Sequence, residues 1–113
     1  MELAEKQCVP CRGGVPPLDR DRAGQLLTEL GEGWTLNAAG HLERRYECSD
    51  FAEALGFANA VGAIAEDQAH HPDILVRWGE CRVEIWTHKI GGLTESDFYL
   101  AAKIARAWND RQR

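Results

Sequence analysis

Three of the four histidines of this 113-residue chain lie in one stretch, AEDQAHHPDILVRWGECRVEIWTHKIGGLTESDF, from Ala65 to Phe98. His70 and His71 are adjacent and precede Pro72, and His88 follows further along, with Glu66 before them and Asp97 after. Imidazole has an unperturbed pKa of about 6.5, so both of its protonation states are populated near neutral pH and it serves as either acid or base. The same side chains could instead ligate a metal as in a zinc hydrolase, but the helical His-x-x-x-His spacing is missing, and adjacent side chains such as His70 and His71 normally point in different directions. Each residue also has a plainer reading. A histidine pair ahead of proline suits the negative end of a helix. Asp97 is placed to cap a helix that starts after Thr94. Glu66 could be a solvated helix residue, and Trp78 and Trp86 could be strand packing. His41, at the start of a strand beside a turn, reads as a surface residue.

The surrounding pattern says how these residues would be positioned. Ala23, Leu26, Leu27 and Leu30 recur at helical spacing after a capping Asp19, with Gly31 as a stop. Trp34 and Leu36, the turn NAAG, and Leu42, Arg44 and Tyr46 alternate as a hairpin. Asp50 and Glu53 resemble a capping box, and Phe51, Ala54, Leu55, Ala58, Val61, Ile64 and Ala65 form the expected buried stripe of a second helix. Pro72 restricts His71 to an extended backbone, which ends that helix near Ala69. DILVRW and CRVEIWT flank Gly79-Glu80, the expected turn of a second hairpin. Thr94 caps a last helix with Phe98, Ala101, Ala105 and Trp108 on one face, and Leu93 staples to Phe98. The order α-β-β-α-β-β-α predicts an α+β fold, a four-stranded antiparallel sheet with three helices packed on one face. In that arrangement the exit of the middle helix and the exit of the fourth strand fall at the same edge of the sheet, where the three imidazoles are expected to converge.

Composition sets the outer limits. A length of 113 residues, 44% hydrophobic and 27% charged, is that of one globular domain. Residues 1–18, rich in Pro and Gly, are expected to be a flexible leader, and residues 19–113 a single domain. A net charge of -5, from 13 basic and 18 acidic residues, leaves no basic footprint for nucleic acid. The longest apolar run, Phe51 to Ala65, is interrupted by Glu53 and Asn59 and does not predict a membrane span. MELAEKQC lacks the basic start and apolar middle of a signal peptide, so a cytoplasmic location is the expectation. Cys8 and Cys11 form the one CxxC, but Cys48 and Cys81 are isolated, so the pair is read as reduced thiols on a peripheral arm rather than a zinc site.

The joint spacing carries more than its members. Glu66, three residues, His70-His71-Pro72, five residues, Trp78, nine residues, His88, eight residues and Asp97 together resemble the signature of the pterin-4a-carbinolamine dehydratase family. CVPCRGGVPPL, Gly33-Trp34 and GLTESD resemble bacterial members along nearly the whole chain. Asp67-Gln68-Ala69 departs from members that carry a lysine after the glutamate and an acid before the first histidine, a difference that bears on substrate affinity.

The resemblance implies dehydration of 4a-hydroxytetrahydrobiopterin to quinonoid dihydropterin, recycling the cofactor of aromatic amino acid hydroxylases, with phenylalanine hydroxylase as the upstream enzyme. It implies no metal and no cofactor, the pterin being the substrate. His70 and His88 would be the acid/base pair, with His71 binding the pterin and assisting proton transfer. Asp97 would support an imidazole and Trp34 would wall the pocket, with Glu66, Trp86 and Thr87 also binding or supporting. A homodimer or homotetramer is expected. The rival from another class is a non-enzymatic interaction module with a protein partner, since dehydratase-like folds also serve as a transcription-factor dimerisation cofactor and as Rubisco assembly chaperones; here the histidines are intact.

Overall fold

The computed structural model describes residues 3–8, 16–31 and 33–111. Its elements are a short 3-10 turn, Leu3–Glu5, followed by α1 (Arg20–Leu30), β1 (Thr35–Leu36), β2 (Leu42–Glu47), α2 (Phe51–Gln68), β3 (Asp73–Arg77), β4 (Glu80–Ile85) and α3 (Glu95–Arg111). All pairings are antiparallel and the strand order is β1-β2-β4-β3. The two hairpins therefore meet along β2 and β4, with Leu42 opposite Ile85 and Tyr46 opposite Cys81. Alternate residues of these strands point to one face, where Leu42, Tyr46, Cys81, Val83 and Ile85 are buried beneath the helices. The opposite face carries Arg45, Glu80, Arg82 and Glu84. Among the described residues no helix is long and apolar enough to cross a membrane.

The helix starts are set by carboxylates. Asp19 Oδ1 accepts from the Arg22 backbone N–H at 2.8 Å, and Asp50 Oδ1 from that of Glu53 at 2.8 Å. The buried side of α2 is rotated from the expected stripe. Ala54, Phe57, Val61, Ala65 and Gln68 face inward, while Phe51 and Leu55 are exposed. Apolar residues surround much of this Ala- and Gly-rich helix, so periodicity alone does not single out the inner face. In α3, Ile104 fills the place expected of Ala105, which is only partly buried.

The β3–β4 turn is displaced by one residue, to Trp78-Gly79, because Glu80 belongs to β4. Its carboxylate takes hydrogen bonds from Arg45, Arg77 and Arg82 at 2.9, 3.0 and 2.9 Å. Burial raises the Glu80 carboxyl pKa, but the arginines outweigh it and hold the group below its ordinary value. Gly79 supplies the φ of +78° that the turn requires. Trp78 is consequently at the turn, 72% exposed, and not packed in the sheet.

The leader also differs from expectation where it is described. Leu3 and Ala4 are buried, Lys103 Nζ donates to the Ala4 carbonyl at 2.7 Å, and the Cys8 backbone N–H donates to Gln68 Oε1 at 3.0 Å. The apolar pair within MELAEK fills a place on α3, which fixes residues 3–8 to the domain. Cys11, and with it the CxxC spacing, lies outside the described residues.

α2 ends in a way its sequence does not announce. Ala69 takes the left-handed conformation, φ 52° and ψ 39°, its N–H bonds to Glu66 O at 3.3 Å, and the His70 N–H bonds to Ala65 O at 3.1 Å. This is a Schellman motif with alanine where glycine is usual. The left-handed conformation disfavours a Cβ, so Ala69→Gly is expected to stabilise the fold by about 0.5–1 kcal/mol. A urea titration should show a higher midpoint with an unchanged slope; a lower midpoint would contradict this geometry.

Candidate active site

The Schellman turn sends the chain back over the end of α2 and delivers His70 to the N-terminus of α3. There His70 Nε2 lies 2.6 Å from Asp97 Oδ1. Asp97 is 0% exposed and the His70 side chain 12%. An ionised carboxylate only accepts, so Nε2 carries the proton and donates it, leaving Nδ1 as the ring atom able to exchange a proton.

The other Asp97 oxygen is equally committed. Oδ2 accepts from the Thr94 backbone N–H at 2.7 Å and from the Thr87 hydroxyl at 2.9 Å. The Thr94 hydroxyl, 3.0 Å from Thr87 Oγ1, completes the chain by donating to it. Asp97 thus closes the first turn of α3 as the acidic member of a capping box and holds the imidazole with the same carboxylate. The loop after Thr87 is shaped for this. Thr87 N–H donates to Gly92 O at 2.9 Å, and a Cβ on Gly92 would come within 2.7 Å of the Pro17 side chain, so this close approach needs glycine.

The three imidazoles share one end of the sheet without stacking on one another; each has its own partner. His71 is exposed and its Nε2 bonds to Glu66 Oε2, another exposed group. Such a pair contributes little to stability. The His88 ring leans on Trp86, with centroids 4.4 Å apart and planes at 42°. Trp86 follows Arg82 and Glu84 in the alternation of β4, whereas Thr87 follows Val83 and Ile85. The residue that holds Asp97 and the one that touches His88 therefore belong to opposite faces of the sheet. Trp34 is placed differently from the expected pocket wall. It is 4% exposed in the core, edge-on to Tyr46 with centroids 6.3 Å apart, and offers no open ring face. Among the described residues no group of three or more His, Cys, Asp and Glu is placed to hold a metal ion.

Behind Asp97 lies Cys8, a free and partly buried thiol whose Sγ is 3.5 Å from the Ser96 carbonyl. Burial pushes its pKa up to about 11, with Asp97 adding to the rise and Lys103 opposing it. Two residues near the histidines escape a reading of the sequence. Thr94 is visible there as a cap but not as a hydroxyl partner of Thr87. His41, which reads as a surface residue, is partly buried, bonds to Glu84 and stacks on Trp86.

The fold is an α+β domain with a buried aspartate–histidine pair at one end of its sheet. Residues 16–107 match the family model described as Pterin 4 alpha carbinolamine dehydratase. The chain is 55% identical over 102 residues to a Rickettsia bellii protein provisionally named pterin-4-alpha-carbinolamine dehydratase, a match covering 90% of each. It is 52% identical over 105 residues to a Rubrobacter xylanophilus protein of the same provisional name, covering 93% of this chain and 97% of that one. The crystal structure of a transcriptional coactivator/pterin dehydratase from Brucella melitensis superposes with a TM-score of 0.73 at 27% identity, covering 80% of this chain and 96% of that one. The chain belongs to the pterin-4a-carbinolamine dehydratase family, whose members are hydro-lyases.

The geometry of Asp97 makes a test that does not depend on turnover. In Asp97→Asn the amide oxygen remains for the Thr94 N–H and the Thr87 hydroxyl, so the amide NH2 faces His70 Nε2, which must then accept. Nitrogen-15 spectra should report His70 protonated on Nε2 in the wild type and on Nδ1 in the variant. Retention of the Nε2–H form in Asp97→Asn would rule out this arrangement.

Proposed function

We propose that this chain removes water from 4a-hydroxytetrahydrobiopterin to give quinonoid dihydropterin. The observation that carries the reading is the His70–Asp97 pair, set by Thr87 and Thr94 within a chain of this family. The elimination needs a proton delivered to the departing 4a hydroxyl and a proton taken from N5, while the N5 electrons expel the oxygen. Two positioned imidazoles meet both needs. His70 exchanges its proton through Nδ1, since Nε2 is engaged by Asp97. His88, exposed beside Trp86, is the second proton-transfer group. His71, held extended by Pro72 and open to solvent, contacts the pterin and assists. The product belongs to the cofactor cycle of aromatic amino acid hydroxylases, phenylalanine hydroxylase first among them.

Self-assembly accompanies this reading. Phe51 and Leu55, 47% and 44% exposed on α2, form an apolar strip for a second copy in a homodimer or homotetramer. A second reading, a module that binds another protein, is favoured by the likeness to the Brucella melitensis protein, which is described as a transcriptional coactivator as well as a pterin dehydratase.

A stopped-flow assay with freshly generated 4a-hydroxytetrahydrobiopterin separates the two readings. The wild type should accelerate dehydration, and His70→Ala and His88→Ala should each lower turnover by about 10²-fold or more. His71→Ala should raise KM as well as lower kcat, because it removes a contact present in both ground and transition states. Activity should survive treatment with a chelator. A wild-type rate equal to that of buffer would leave only the protein-binding reading.

A further inference from the structure

We propose that His41 is a positioning residue for His88, acting through the indole of Trp86; the inference rests on the reading of His88 as a proton-transfer group. His88 lies in the turn after β4, where Ile90 N–H and Gly91 N–H both fold back onto the Thr87 carbonyl, and its side chain is exposed. A histidine so placed has little to fix its ring apart from the indole beside it. Proton transfer requires a held geometry, so the rigidity of Trp86 becomes the rigidity of His88.

Trp86 follows the last residue of β4. Leu42 pairs with Ile85, so continuing the register places His41 across from Trp86. The two rings are stacked nearly parallel, with centroids 4.1 Å apart and an angle of 5°. Trp86 in turn meets the ring of His88. The imidazole of His41 is itself anchored. Its Nδ1–H donates to Glu84 Oε2 at 2.7 Å, and Asn37 Nδ2 donates to the same oxygen at 2.9 Å and to Glu43 Oε1 at 3.1 Å. Asn37 also fixes the backbone on which His41 sits, its Oδ1 accepting from the His41 N–H at 3.0 Å. The hydrogen bond from His41, then that from Asn37, holds the Glu84 carboxyl below its ordinary range, so Glu84 remains an ionised acceptor.

A network that ties two strands and a turn to one ring, on the sheet face away from the hydrophobic core, does little for burial. Its evident effect is on the indole it clamps. His41 thereby extends the site across the sheet to a residue that touches no substrate.

The test compares wild type, His41→Ala, His41→Phe and Glu84→Gln by carbon-13 spectra of the His88 ring and by stopped-flow turnover. In the wild type the Trp86 ring current should displace the His88 ring signals. His41→Ala should move them toward the values of a mobile histidine and lower kcat by about tenfold with KM nearly constant. His41→Phe restores the stacked neighbour and should recover most of both. Glu84→Gln, which keeps every ring and weakens only the anchor, should give a smaller change in the same direction, and it carries the test should His41→Ala not fold. Unchanged His88 signals in both His41→Ala and Glu84→Gln would overturn the proposal. Signals that move in a protein with no dehydratase activity would uphold the positioning and reject the reading of function.

Discussion

The buried carboxylate of Asp97 is the constraint around which this small domain is arranged. An isolated charge removed from water is destabilised by several kcal/mol, and it is tolerated only when donors surround it. Asp97 has three: His70 from the exit of α2, Thr87 from beyond β4, and the backbone of Thr94 at the start of α3. Removal of any one would leave part of a fully buried charge unmet. The loop from Thr87 to Thr94 is therefore closed on itself, with Thr87 N–H on Gly92 O, and Leu18 N–H bonds to Leu93 O at 2.8 Å to brace it from the side of α1. The imidazole and the helix cap share one carboxylate, which ties the position of His70 to the integrity of the α3 N-terminus.

A division of labour follows from the sheet. Its inner face is apolar and helix-covered, and through Thr87 it reaches His70. Its outer face is polar and, through Glu84, His41 and Trp86, reaches His88. The two groups read as a proton-transfer pair are supported by different side-chain networks, and Thr87 and Trp86, one from each, are adjacent in the chain. His71 stands apart from both, paired with Glu66 in solvent.

Much of the fold is legible in the sequence because it rests on local chemistry. Asp19 and Asp50 cap as expected, α2 stops before His70-His71-Pro72, and the alternation of Leu42, Arg44 and Tyr46 sets a strand face. What is not legible depends on contacts distant along the chain. Nothing local says that Glu80 will be drawn into β4 by arginines on two other segments, which moves the turn onto Trp78. Nothing local separates the two sides of α2, since Phe51 and Leu55 are as apolar as Phe57. The spacing of His70, His88 and Asp97 marks residues that do gather at one end of the sheet. Their individual partners, and the place of His41, follow only from the register of β2 against β4.

The acceptor that orients His70 arrives late along the chain. During synthesis the ribosome releases α2, His70, both strands of the second hairpin and Thr87 before it releases Asp97. Until α3 docks, the imidazole and the threonine hydroxyl lack the Asp97 carboxylate, and the apolar side of the sheet is covered only in part. The hairpins pair with one another, but the partner of His70 comes from α3. In the newborn chain, the His70–Asp97 pair is therefore completed only when α3 closes over the sheet.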